Sequence, residues 1–288
     1  MAGPMTDTLE FPDRLHNQPS PPETEPDTPD QEPRTKMQIV VSGGGTIAPV
    51  DDVRVLTNVS TGRLAAAITE AFLARGDSVW HIHTPTALVP LRRLARFDLE
   101  TPGPSAELER LSALHQRWIE FRDRLHLLPL QEGTVGEYAR VLSELLRSRP
   151  IDIAVLAMAA SDYEPEPRPG KIDSEAEAMV IRCRRAPKVI RSVRETSPNV
   201  FLVGFKLLSG VTQEELISRA VEAAQANRAD LTVANDLQTL REGRHTLHLV
   251  EPDGPFETLG PGDDLADRLV DRIADRVARR RVSGITET

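Results

Sequence analysis

Cysteine is nearly absent: Cys183 stands alone in 288 residues. A single thiol excludes an internal disulfide framework and a cysteine-rich metal site, and it suits a reducing compartment. Long apolar runs are missing as well. No stretch approaches the roughly 20 residues that a membrane-spanning helix needs. Basic excess is the third absence. The formal net charge is −9, so no overall positive field would draw phosphate backbones, which argues against a nucleic-acid partner. Residues 1–36 are rich in Pro, Asp and Glu, as in Pro19-Ser20-Pro21-Pro22-Glu23, and hold almost nothing apolar to bury. They lack the basic start and apolar run of a secretory signal, and their composition predicts a disordered tail. These absences predict a soluble, cytoplasmic chain. The part from 37 to 285, about 250 residues, suits one α/β domain carrying an insertion.

That part alternates. Residues 37–42 form a β-branched run that ends at Gly43-Gly44-Gly45-Thr46, which reads as a buried strand and a tight turn. Apolar positions at helical spacing predict a helix over 62–75 with Gly76 as its stop, and 78–83 reads as the next strand. A strand–helix–strand unit of these lengths implies a parallel sheet. The pattern breaks over about 85–130, read as an insertion on the edge of the fold with one helix over 105–124. Thr134-Val135-Gly136-Glu137 and Thr212-Gln213-Glu214-Glu215 are capping boxes that open helices to about 148 and 227. Strands are expected at 153–157, 200–205 and 231–234, and a helix over 187–195 with proline in its first turn. An antiparallel hairpin is expected around 245–250 and Pro252-Asp253-Gly254, with a last helix over 263–280. The leading architecture is an open, doubly wound, mainly parallel sheet, Rossmann-like and three-layered.

Ligands in such folds sit beyond the carboxyl ends of the strands, which directs attention to four loops. Glycines at 43–45 allow close approach of backbone to a ligand and can aim N–H groups at phosphate, or they make a tight turn and nothing more. The sequence there is neither Gly-x-Gly-x-x-Gly nor a Walker A loop. Residues 49–63 read as a polar loop whose Ser60 and Thr61 start a helix, offering either an anion site or a simple cap. Asp162, after an apolar strand, can hold a ribose hydroxyl or cap its turn. Residues 165–171 form a proline-rich segment that reads as a mobile flap ending at Lys171. Polar ends also close the strands at Gly204-Phe205-Lys206 and Ala234-Asn235-Asp236.

Taken in order, these motifs resemble the phosphopantothenoylcysteine synthetases (phosphopantothenate–cysteine ligases). The resemblance rests on Gly44-Gly45-Thr46, Val53-Arg54, Asn58-x-Ser60-x-Gly62, Ala159-Ala160-Ser161-Asp162-Tyr163, Lys171-Ile172, Ala186-Pro187-Lys188, Gly204-Phe205-Lys206 and Val233-Ala234-Asn235-Asp236. It covers nearly everything from 37 to 250. Phe205-Lys206-Leu207 and the long insertion are similar to the monofunctional, eukaryotic-type branch, and no flavin-dependent decarboxylase domain precedes residue 37.

The resemblance implies a ligase that joins cysteine to 4'-phosphopantothenate through an acyl-nucleotidylate, with CTP or ATP and Mg²⁺. Lys171 would be the essential lysine and Asn58 the site asparagine. Gly43, Gly44, Gly45, Thr46, Ser60, Met158, Asp162, Ala186, Pro187, Lys188, Val189, Phe205, Lys206 and Arg219 would fall on the nucleotide side. Arg54, Gly62, Ala160 and Asn235 would fall with Asn58 on the substrate side. No protein metal cage is expected, and Cys183 reads as a buried strand residue. A homodimer is implied, with a small antiparallel lobe built from 172–185 and 240–251. Two departures touch the nucleotide side. The helix over 213–227 carries no lysine where bacterial members carry two, with Arg219 or Lys206 as candidate replacements, and Leu208 stands where a Glu is usual. A non-catalytic nucleotide sensor on the same fold, or an NAD(P)-binding reductase, are the competing readings; the reductase lacks its fingerprint and an acidic residue after His81-Ile82-His83.

Overall fold

The computed structural model describes residues 36–285, with Pro102, Ser174 and Ala176 excepted. The predicted disordered tail therefore lies, apart from Lys36, outside the described residues. In chain order the first strand is β1 (Gln38–Gly43), followed by the short strands β2 (Ile47–Pro49) and β3 (Val55–Thr57). Helix α1 (Arg63–Ala74), strand β4 (Ser78–His83), helix α2 (Pro104–Phe121) and strand β5 (Leu125–Pro129) come next. Then follow α3 (Val135–Ser148), β6 (Ile153–Leu156), β7 (Tyr163–Pro165), β8 (Cys183–Arg185) and α4 (Val189–Thr196). The chain continues through β9 (Phe201–Leu208), α5 (Gln213–Asn227), β10 (Leu231–Asp236) and α6 (Leu237–Arg241), and ends with β11 (Leu247–Val250), β12 (Phe256–Leu259) and α7 (Leu265–Ile285).

Eight strands form one sheet in the order β12-β11-β10-β9-β6-β1-β4-β5. The six from β10 to β5 run parallel, and β11 and β12 add an antiparallel hairpin at one edge. Pleat alternation makes the three layers. Ile39 and Val41 pack with Ile68 and Phe72 of α1 and with Leu269 and Ile273 of α7 on one face. Val40 packs with Tyr138 and Leu142 of α3 and with Val193 of α4 on the other. The expected α/β architecture is thus the observed one, and two further hairpins, β2–β3 and β7–β8, stand apart from the main sheet.

The two threonine caps form as spelled: Thr134 accepts from the Glu137 N–H and Thr212 from the Glu215 N–H, each at 3.2 Å. Glu137 reaches back further than a capping box requires. Its carboxylate accepts from the N–H groups of Gln131, Glu132 and Gly133 and so fixes the whole turn before α3.

Several expectations need correction. Residues 247–250 belong to the main sheet, because β11 pairs with β10 and β12, so the segment 240–251 does not build a separate lobe. The small antiparallel hairpin is made by β7 and β8 instead. Cys183 is exposed on that hairpin rather than buried, and the strand there spans only Cys183–Arg185. Pro187 precedes α4, whose N-cap is Lys188. The stretch over 85–130 supplies β5, a parallel edge strand beside β4, as well as α2.

His81, wholly buried on β4, hydrogen-bonds Thr69 through Nδ1 at 2.8 Å. Burial, aided by the neighbouring His83, pushes its pKa from 6.5 down to about 3. Only the neutral ring is accommodated, so its contribution to stability is intact above pH 6.5 and is lost progressively as pH falls from there toward about 3. Urea midpoints should therefore decline on acidification below pH 6.5, and the decline should be shallower in His81→Leu. Equal slopes in the two proteins would remove His81 as the cause.

Candidate functional site

In this sheet β1 is followed outward by β4 and β5 on one side and by β6, β9 and β10 on the other. The switch point lies between the carboxyl ends of β1 and β6, where the crossover direction reverses and a crevice opens in doubly wound folds. The two loops leaving these strands stay paired beyond them. Ala157 N–H donates to Ser42 O at 3.1 Å, Ala159 N–H to Gly44 O at 2.8 Å, and Thr46 N–H to Ala159 O at 3.1 Å. Ser161 N–H closes the junction on the Thr46 hydroxyl at 2.9 Å.

Two glycines make this packing possible. Gly44 has a φ of 98°, a left-handed conformation that favours glycine, and a Cβ there would lie 2.2 Å from the Thr84 hydroxyl. A Cβ on Gly45 would lie 2.2 Å from the carbonyl oxygen of Asn58. The close approach brings in the third element of the site, the β2–β3 hairpin. Thr57 donates its hydroxyl to Thr46 O at 3.0 Å, and the Asn58 side-chain amide donates to Ala159 O at 3.2 Å. Asn58 keeps a second amide N–H and its carbonyl oxygen for other partners.

The turn between β2 and β3 carries the fourth element. Asp51 is buried, its side chain fully enclosed. Its Oδ1 accepts from the N–H groups of Val53 (2.9 Å) and Arg54 (2.7 Å), while Oδ2 accepts from Ile172 N–H (3.0 Å) and is ion-paired with Arg54. Burial alone would raise the Asp51 pKa; the N–H groups of Ile172 and Val53, with Arg54, outweigh it and hold it down to about 2. Arg54 also donates to Ile172 O at 3.2 Å. Neighbouring bonds run from Arg168 N–H to Val50 O (3.1 Å) and from Gly170 N–H to the Asp52 carboxylate (3.2 Å). The segment read as a mobile flap is thus docked on the hairpin at its Lys171 end. Lys171 itself is exposed between the anchored Gly170 and Ile172.

The remaining predicted residues divide. Met158 is buried and Ala160 half-buried in the β6 loop. Asp162 stands at the base of the β7–β8 hairpin, where its carbonyl accepts from Ala186 N–H (2.9 Å) and its carboxylate is ion-paired with Lys188. That pair brings the predicted Ala186, Pro187, Lys188 and Val189 to the same side. Phe205 and Lys206 lie within β9, which runs on to Leu208 rather than ending at 205, with Lys206 across from Ala234, and Asn235 is buried near the end of β10. Asp236 beside it caps α6 and accepts from Gly210 N–H (2.7 Å), a structural role. Gly62, with φ 71°, is the N-cap of α1 and has no side chain to cap it; the Thr61 hydroxyl accepts from Arg63 N–H at 3.3 Å, so Thr61 rather than Ser60 serves the helix start. Arg219 is exposed and paired with Glu222 along α5, and no described contact ties it to the crevice.

Sequence reasoning gave no role to Asp51 or Asp52. The available signal was an Asp pair opening a turn, where aspartate commonly accepts backbone N–H groups. Among the described residues no cluster of three or more His, Cys, Asp or Glu could hold a metal ion, and no helix is long and apolar enough to cross a membrane. An open groove of about 750 Å³ lies at the other end of the sheet, lined by Phe201, Arg228, Asp230, Arg276 and Arg280. Its Arg276 and Arg280 are already paired with Glu251 and Asp230, so the switch point is the stronger place for chemistry.

Known proteins carry the same arrangement of sequence. The profile of the family described as DNA/pantothenate metabolism flavoprotein C-terminal domain matches residues 35–108 and 135–277, leaving out most of α2 and β5. A coenzyme A biosynthesis bifunctional protein CoaBC of Thermococcus kodakarensis is 29% identical over 216 residues, which is 75% of this chain and 45% of that protein. The chain therefore spans less than half of that relative. A phosphopantothenate–cysteine ligase of Mus musculus is 28% identical over 256 residues, covering 79% of this chain and 80% of its own length. Among solved structures, a DNA/pantothenate metabolism flavoprotein from Streptococcus pneumoniae superposes with a TM-score of 0.65 at 27% identity, over 83% of this chain and 99% of that one.

Proposed function

The chain belongs to the DNA/pantothenate metabolism flavoprotein C-terminal domain family, and from that premise we propose that it is a phosphopantothenate–cysteine ligase using CTP or ATP. The observation that carries this reading is that one hairpin holds Asn58 against the β6 loop beyond β3 and docks the Lys171 loop at its turn.

The chemistry has two steps. The carboxylate of 4'-phosphopantothenate attacks the α-phosphorus of the nucleotide; the P–O bond to the β-phosphate breaks, and pyrophosphate leaves with that electron pair. The amine of cysteine then attacks the acyl carbon, the nucleoside monophosphate departs, and the amine proton passes to solvent or to the leaving phosphate. Both steps build negative charge, first on phosphate and then on a tetrahedral oxyanion, and a fixed cation lowers both barriers. Lys171 is proposed as that cation. Asn58, held through Ala159 O, has an amide N–H left to orient the acyl oxygen without repelling a carboxylate. Mg²⁺ arrives with the triphosphate as part of the substrate, held by phosphate oxygens and water.

On the nucleotide side, Gly43 to Thr46, Met158, Asp162 with Lys188, and Lys206 form the proposed contacts. Arg54 is engaged by Asp51 and Ile172 O, so its proposed role is to hold the Lys171 loop. Exposed Val55 and Val59 on the β2–β3 hairpin and Tyr163 on the β7–β8 hairpin support the proposal of a homodimer, and the reaction class supports a cytoplasmic location.

The test is pyrophosphate release by the purified chain with 4'-phosphopantothenate, cysteine, Mg²⁺ and either CTP or ATP. Release that depends on phosphopantothenate is expected, and the faster nucleotide names the co-substrate. Tight nucleotide binding with no release would favour the sensor reading, which Leu208 and the lysine-free α5 support.

A further inference from the structure

Asp51 divides its two carboxylate oxygens between two tasks. Oδ1 serves only its own turn, accepting from Val53 N–H and Arg54 N–H. Oδ2 serves a segment 121 residues away in sequence: it accepts from Ile172 N–H at 3.0 Å, and it holds the Arg54 guanidinium that in turn donates to Ile172 O at 3.2 Å. Ile172 is thus gripped at both its N–H and its C=O, one peptide beyond Lys171. On the other side of Lys171, Gly170 donates to the Asp52 carboxylate and its carbonyl accepts from Asp52 N–H at 3.3 Å. The backbone of Lys171 is therefore fixed from both sides, while its exposed side chain is left free to point at a ligand.

A buried carboxylate without partners is costly, and here its desolvation is offset by donors of which one comes from the distant loop. The loop has no strand or helix of its own between β7 and β8 among the described residues. Elsewhere among the described residues it is held by Glu166 N–H to Arg182 O at 3.1 Å, by the Glu166–Arg184 ion pair and by Arg168 N–H to Val50 O at 3.1 Å. We propose that Asp51 is a positioning residue for Lys171, its Oδ2 docking the lysine's loop onto the same hairpin that presents Asn58. The proposal rests on the ligase reading for the role of Lys171, but the docking itself is a property of the chain.

Asp51→Asn separates the two tasks. The amide oxygen can replace Oδ1 and keep the turn, while the amide nitrogen takes the place of Oδ2 and confronts two donors, Ile172 N–H and Arg54. In the full chain, amide exchange at Ile172 should accelerate about tenfold or more, while Val53 and Arg54 amides keep their protection. Pyrophosphate release should fall in kcat by about tenfold or more, with the nucleotide KM within about twofold. In a Lys171→Gln background the same substitution should cost nothing further, because the two residues act through one interaction. Ile172→Pro, which deletes the donor from the other partner, should reproduce the loss if Asp51→Asn folds poorly.

Unchanged exchange at Ile172 in Asp51→Asn, together with unchanged exchange at Gly170 in Ile172→Pro, which has no N–H at 172, would overturn the docking. An equal activity cost of Asp51→Asn with and without Lys171 would overturn the positioning role. Failure of the ligase reading is distinguishable from either: the wild-type chain would release no pyrophosphate, whatever the exchange rates show.

Discussion

Lys171→Gln should lower the rate of pyrophosphate release by about 100-fold or more, the scale on which a single preorganised donor acts on developing oxyanion charge. The substitution keeps most of the side chain's length and removes its charge. Lys171 is exposed and enters no hydrogen bond or ion pair among the described residues, so stability should change by less than about 0.5 kcal/mol. That pairing of outcomes is informative. A loop held by its backbone, with Gly170 and Ile172 anchored on Asp52 and Asp51, keeps its position when the side chain changes. Nucleotide affinity should therefore move far less than kcat, as expected of an interaction made mainly in the transition state. Single-turnover pyrophosphate release and calorimetric binding read the two quantities separately. A rate within threefold of wild type would remove Lys171 from the chemistry.

What could be read from the sequence tracks what each segment buries. The runs over 38–43, 153–156 and 231–236 are buried on both faces and mostly apolar at their centres because helices cover both faces of a parallel sheet. The caps at Thr134 and Thr212 were legible because capping is local: donor and acceptor lie three residues apart. The β2–β3 hairpin was not. Every residue of β3 is exposed and the strands are three residues long, so no alternation marks them. β5 hid inside a stretch dominated by α2. Cys183 was misread because an apolar neighbourhood in sequence, from Met179 to Ile181, turned out to be largely solvent-facing.

The site shows the same division. Glycines and polar residues at strand ends marked the crevice, and the resemblance pointed to Asn58 and Lys171. What joins them, the Asp51 carboxylate on Ile172 N–H, spans 121 residues, and no local pattern encodes a contact of that range.

Gly45→Ala tests whether that joined geometry matters. The added methyl carbon would sit 2.2 Å from Asn58 O, 3.2 Å from its carbonyl carbon and 3.4 Å from the Thr57 hydroxyl. The obstacle is backbone, which cannot swing aside as a flexible side chain can. Relief requires the end of β3 to move outward by about 1 Å, and a displacement of that size at a positioned group can cost about 100-fold in rate. The Asn58 amide would be drawn from Ala159 O, and the Thr57 hydroxyl from Thr46 O. Overpacking of this kind also costs about 1–3 kcal/mol in stability, measurable as a lower urea midpoint. Gly136→Ala supplies the control. It lies in the first turn of α3, and a methyl there meets nothing within 4 Å, so the helix should gain about 0.5–1 kcal/mol while activity stays at wild type. If Gly45→Ala behaved like Gly136→Ala, with full rate and no loss of stability, the hairpin would be free to sit further from the crevice. Asn58 would then have no claim to the acyl group. A rate loss confined to Gly45→Ala would instead tie catalysis to the distance between the hairpin and the β1 loop, a distance that glycine alone at this position permits.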